Sequence, residues 1–270
     1  MCLIVFDWQP DQPRWLSLSA NRDEFFERPA SPLQPWQDQP HILAGRDLLQ
    51  GGSWLGASAR LRIAAVTNVR RGIPVTDKRS RGELVSAFLN SDLTPEDFCQ
   101  QLLPQARDYG PFNLLVATPE SLWFLSNSPT LQAFAVPAGR HVLSNASLNT
   151  PWPKAQLALQ QLQRWLENEP NNIEHLSQLL DRTSPWPDAE LPDTQVPLEW
   201  ERLLSAQRIH SEHYGSRCSS GLIARQQDLQ LMEISWQADG QIEGVSHWQI
   251  QQGQITPVPG WPGAGQATSR

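Results

Sequence analysis

"MCLIVFDW" (1–8), "QPDQP" (9–13) and "RWLSLSANRDE" (14–24) decide the fold. The first is a short apolar run and the second a turn by composition. The third opens with alternating apolar and polar residues. Together they predict a β-hairpin centred near Asp11 and Gln12. Antiparallel partners across that turn have numbers summing to about 23, to within one or two residues. Cys2 then faces Asn21, and "NRDE" (21–24) arrives beside the N-terminus.

A chain end is a poor place to bury a small hydrophobe, so a cysteine at position 2 asks for a reason. If Met1 is removed, as this reading expects, Cys2 carries an α-amino group whose ordinary pKa is about 7.7–8.0. That amine lies one residue's reach from a thiol of pKa about 8.5. Cys2 then supplies nucleophile and base together, as an N-terminal threonine does. Arg22 is placed to lower the thiol's pKa, and Asp23 or Glu24 to hold the ammonium. The plainer alternative is that Cys2 opens a buried strand and "NRDE" is a surface charge pair.

At 270 residues with 39% hydrophobic side chains, the chain has the length and apolar content for a substantial core. A net charge of -7 argues against a nucleic-acid surface. The first apolar run is too short for a signal peptide, and no run approaches a membrane span. Cys2, Cys99 and Cys218 are odd in number and widely spaced, which fits reduced thiols, a cytoplasmic location and no metal centre.

Strands are expected at 51–58, 61–69, 112–118, 122–126, 131–136 and 140–145, with "SPLQPWQDQP" (31–40) as a proline-rich loop. Ser80 with Glu83 and Thr94 with Asp97 read as capping boxes opening two helices. A helical block follows from 153 to 181, with one stripe of Ala158, Leu162 and Trp165. Residues 184–197 read as a long loop bordering a cleft, 198–206 as a short helix, and the stretch from "SRCSSGLIA" on as a final antiparallel set. The expected organisation is one α+β domain over 1–255, a four-layer α/β/β/α sandwich, with a disordered tail at 256–270.

These stretches resemble the NRDE family, also called the transport-and-Golgi-organisation type 2 family. The matching segments are "MCLIVF" (1–6), "SANRDEFFERPA" (19–30), "GGSWLGAS" (51–58), "VTNVR" (66–70), "SRGELVSAFL" (80–89), "GPFNLL" (110–115), "LSNASLNTPWPK" (143–154), "LPDT" (191–194) and "YGSR" (214–217). That family is similar in turn to cysteine N-terminal-nucleophile hydrolases such as penicillin V acylase, bile-salt hydrolase and acid ceramidase, which share the four-layer sandwich. The resemblance implies Cys2 as the nucleophile-like residue, with Arg22 and Asp23 as its electrostatic neighbours. It implies Asn145 as an oxyanion donor, Asn68 as a weaker candidate for a similar place, and Arg217 near the nucleophile. In the amide hydrolases the arginine and the acid are separated by intervening positions, whereas Arg22 and Asp23 are contiguous.

The resemblance implies intracellular haem mobilisation, with haem as cargo and no cofactor needed for any hydrolysis. The alternatives are a Cys2-dependent amidohydrolase acting on a small acylated amide, and lipid or acyl-CoA binding. Candidate haem ligands are Cys2, His41, His141, His210, His213 and His247. "HSEH" (210–213) reads more readily as a solvated helix face. Loop tryptophans such as Trp36, Trp54, Trp152 and Trp186 are placed to line an apolar cleft for a small hydrophobic partner.

Overall fold

The computed structural model describes residues 2–70 and 78–259. Within them the strands are β1 (Cys2–Trp8), β2 (Arg14–Phe25), β3 (Ala30–Pro35), β4 (Ile42–Asp47), β5 (Leu55–Ser58), β6 (Ile63–Asn68), β7 (Phe112–Ala117), β8 (Leu122–Ser126), β9 (Gln132–Ala135), β10 (Gly139–Leu143), β11 (Tyr214–Arg225), β12 (Asp228–Trp236), β13 (Ile242–Gln251) and β14 (Gln254–Pro257). Helices α1 (Gly82–Asn90) and α2 (Pro95–Leu102) fall between β6 and β7. Helices α3 (Pro153–Asn168), α4 (Ile173–Ser177) and α5 (Leu198–Ser205) precede β11. The strands form two antiparallel sheets, ordered β10-β1-β2-β11-β12-β13-β14 and β3-β4-β5-β6-β7-β8-β9.

The apolar run of β1 is continuous because both its faces are covered. Ile4, Phe6 and Trp8 pack between the sheets with Trp15, Leu18, Phe124 and Leu222. Leu3 and Val5 point the other way, onto Ala158, Leu162 and Trp165 of α3. On the far side, Leu84 and Phe88 of α1 and Phe98 of α2 cover Ala64, Val66 and Leu114. The order is therefore helix, sheet, sheet, helix, the expected four-layer sandwich.

Several local expectations change. Residues 31–35, expected as the start of a loop, belong to the edge strand β3, where prolines cost no ladder hydrogen bond. The Ser80 capping box does not form: Glu83 N–H donates to the Ser80 backbone carbonyl, and the Glu83 carboxylate pairs with Arg79 at 3.0 Å. Thr94 does cap α2, accepting from Asp97 N–H at 3.1 Å. "HSEH" lies in the connection before β11, not on a helix. Thr256 and Pro257, expected in the tail, pair in β14, while 260–270 lie outside the described residues.

The loop after β4 meets the start of α1 at a glycine–glycine crossing. A Cβ on Gly52 would stand 2.4 Å from the Gly82 backbone carbon, and Ser53 N–H donates to the Gly82 carbonyl. Gly52→Ala forces two backbones apart and is expected to cost about 1–3 kcal/mol, the usual overpacking penalty. Urea unfolding checks this, and an unchanged midpoint would contradict it.

Candidate functional site

The hairpin register is one residue from the expected one. Gln9 N–H donates to the Trp15 carbonyl, leaving a longer turn, and Cys2 pairs with Arg22 rather than Asn21. The shift has a chemical consequence, because directly opposed residues share a face of the sheet. Cys2, Arg22, Cys218 and Ser235 form one cross-strand row over β1, β2, β11 and β12. Asn21 turns to the helical side instead, where its amide donates to the carbonyls of Leu180 and Gln207 at 2.8 Å each.

Asp23 belongs to the other face of β2, but β1 ends at Cys2, so the acid still reaches the cysteine. Asp23 N–H donates to the Cys2 sulfur. Its carboxylate accepts from Ser216 Oγ at 2.6 Å, and the residue is fully enclosed. Burial raises its pKa, opposed by Lys154, Arg70 and the Ser216 bond. Burial likewise pushes the Cys2 thiol up to about 11; Asp23 adds to the rise and Arg22 opposes it. Arg22 has no hydrogen bond or ion pair with the described residues and lines the cleft, where the buried Glu233 carboxylate feels its charge.

The remaining expected residues take distinct roles. A bulge between Ser216 and Cys218 takes Arg217 out of the ladder. Its guanidinium donates to the carbonyls of Phe25, Phe26 and Arg28 at 2.8–3.2 Å, tying down the turn after β2. Asn145 is fully buried, does not line the cleft, and donates through Nδ2 to the Asn68 carbonyl at 2.8 Å. Asn68 lines the cleft and makes no side-chain hydrogen bond with the described residues.

The cleft at this open end of the sandwich measures about 990 Å³. Both sheets and the approach to α1 contribute, with Arg28, Lys78, Arg79, Arg81 and Arg217 joining Arg22. Cations lining it outnumber carboxylates eight to five, against the sign of the whole chain. Lys78, Arg79, Arg81 and Glu233 escaped the sequence reading. Glu233 is buried, accepts from Leu33 N–H at 2.8 Å and takes a hydrogen bond from the Cys218 thiol. Of the six candidate haem ligands, Cys2 lines the cleft and the histidines do not. Both ring nitrogens of His141 are engaged, by the Pro137 carbonyl and the Asn149 amide.

The thiolate is the reactive form of cysteine, so a thiol held up to about 11 reacts slowly at neutral pH. Alkylation of Cys2 by iodoacetamide is expected to rise about tenfold per pH unit through the alkaline range. Peptide mass spectrometry reads this, and a plateau near neutral pH would show an activated thiolate instead.

The geometry accords with what the chain is similar to. The homologue of Transport and Golgi organization protein 2 from Bos taurus is 30% identical over 246 residues, covering 83% of this chain and 88% of the relative. The Mus musculus homologue is 32% identical over 211 residues, 73% and 76% of the two chains. Two solved structures share the fold at low identity. A Caenorhabditis elegans N-acylethanolamine-hydrolyzing acid amidase orthologue has a TM-score of 0.50 at 10% identity, over 82% of this chain and 92% of its own. The C2A mutant of conjugated bile acid hydrolase from Clostridium perfringens has a TM-score of 0.51 at 8% identity, over 96% and 97%. The family model described as Transport and Golgi organisation 2 matches residues 1–238, and the chain belongs to that family.

Proposed function

We propose that the Cys2 cleft binds an apolar small molecule bearing anionic groups, with haem the first choice, and that the chain mobilises this cargo inside the cell. The observation that carries the reading is the cationic lining. Arg22, Lys78, Arg81 and Arg217 have no ion-pair partner among the described residues, and cations in a confined low-dielectric cleft favour an anion. Haem propionates meet such groups, whereas a neutral acyl amide does not use them. Cys2, held as a thiol, serves here as a ligand-facing sulfur rather than a standing nucleophile. The test is titration of the purified protein with haem, followed through the Soret band. An acyl-CoA offers the same combination of apolar chain and anionic groups, so competition by a long-chain acyl-CoA distinguishes shared from separate sites.

A second reading is favoured by one observation: Arg22 and Asp23 neighbour Cys2, and Asn68 lines the same cleft, which suits an amidohydrolase. It requires a free α-amine on Cys2. Intact mass reports whether Met1 is removed, and turnover of a panel of acyl amides by wild type, lost in Cys2→Ser, would establish it.

A further inference from the structure

Among the described residues six large apolar side chains are exposed, and five of them flank the Cys2 cleft. Phe25 follows Glu24, Leu48 and Leu49 stand between Asp47 and Gln50, Leu198 lies just past Val196, and Ile242 precedes Glu243. Glu24, Asp47, Gln50, Val196 and Glu243 all line the cleft. Phe134, on the edge strand β9, is the sixth. Scattered exposed apolar residues need no explanation, but apolar side chains gathered round one opening mark an interaction surface.

The gathering is densest after β4. Leu48 and Leu49 are 58% and 62% exposed and occupy the tip of a turn, a place that usually takes polar residues. Neither belongs to a core cluster. The turn beneath them is firmly built. Asp47 Oδ1 accepts from Leu49 and Gln50 N–H at 2.9 and 3.2 Å, and Gly51 N–H donates to the Asp47 carbonyl at 2.7 Å. The two leucines are therefore presented on a fixed support.

Positive charge flanks this tip. Leu48 N–H donates to the Pro29 carbonyl, which joins the tip to the turn after β2, with Phe25 and Arg217. On its other side the Gly52–Gly82 crossing brings in the segment of Lys78, Arg79 and Arg81 that leads into α1. Lys78 and Arg81 donate to the neutral carbonyls of Arg107 and Pro111, at 3.0 and 3.3 Å, and Arg217 to those of the turn after β2. The nearby carboxylates are taken by other arginines: Asp47 and Glu24 face Arg28, and Glu83 faces Arg79. This rim offers cations to a partner although the chain carries a net charge of -7.

We propose that the rim formed by Leu48, Leu49, Phe25 and the 78–81 segment docks on an anionic lipid bilayer, the leucines entering among the headgroups and the cations meeting lipid phosphates and carboxylates. Protruding apolar tips beside cations suit a fluid anionic surface, which closes around them, whereas a protein partner has to supply matching pockets. Docking there turns the cleft toward the bilayer, so an amphiphile passes between the two without crossing bulk water. The proposal does not depend on which molecule the cleft holds.

Sedimentation of the full chain with lipid vesicles tests it. The chain is expected to pellet with vesicles of phosphatidylcholine and phosphatidylserine, less at raised salt, and weakly with phosphatidylcholine alone. Leu48→Ser combined with Leu49→Ser should weaken this partitioning by about tenfold or more and leave the unfolding midpoint unchanged. Lys78→Gln should weaken it by about fivefold, the effect of one basic residue near an anionic surface. No pelleting of wild type, equal pelleting with both vesicle types, or pelleting unaffected in the leucine variant overturns the proposal. A wild-type dimer that is lost in the leucine variant, without vesicle binding, also overturns it and gives the rim to a second copy of the chain.

Discussion

Glu201→Ala is expected to lower the unfolding free energy by about 3–5 kcal/mol, the cost of stranding a buried charge. Glu201 and Arg70 pair at 2.7 Å with side chains 6% and 3% exposed. Removing the carboxylate leaves Arg70 facing Lys154 across the shared Leu204 carbonyl, and also frees Thr194, which anchors the 184–197 connection. The loss comes from an uncompensated cation, not from the worth of the pair itself. Replacing both partners by apolar residues, as in Arg70→Met with Glu201→Met, should therefore cost less than Glu201→Ala alone. Denaturant unfolding at neutral pH reads both. A loss under about 1 kcal/mol for the single substitution would mean that water reaches the pair.

Arg22→Ala is expected to weaken haem binding by roughly tenfold to a hundredfold, corresponding to about 1.5–3 kcal/mol for a hydrogen bond to a charged group. Arg22 stands in the Cys2 row and makes no hydrogen bond or ion pair with the described residues, so the fold rests little on its charge. The variant should consequently unfold at the wild-type midpoint. Arg217→Ala is the contrasting case: it removes three bonds to the turn after β2 and should disturb stability and binding together. Equal haem affinity in wild type and Arg22→Ala would remove the anion from the account.

The hairpin and the Cys2–Arg22–Asp23 grouping were legible because alternation in 14–20 and the apolar run of β1 specify which faces are covered. Register was less so, since the length of the turn decides it and composition gives only its existence; the one-residue shift exchanged Asn21 for Arg22. Lys154 carries a signal that was not used. It occupies the same helical stripe as Ala158, Leu162 and Trp165, so a lysine there is buried by the periodicity alone. Lys78, Arg79, Arg81 and Glu233 enter the cleft from elements distant in sequence, and only the packing of the two sheets brings them together. Asn145 matches a motif position, yet its amide is spent on the Asn68 backbone, a geometry that no spacing encodes.

The most direct test of the central claim is one spectroscopic titration of haem into wild type, Cys2→Ser and Arg22→Ala. The account predicts a saturable Soret shift in wild type, weaker binding in Arg22→Ala, and an altered band position in Cys2→Ser, since Cys2 is the candidate ligand that lines the cleft. No saturable shift in wild type, together with acyl-amide turnover abolished by Cys2→Ser, would contradict it and give the site to hydrolysis.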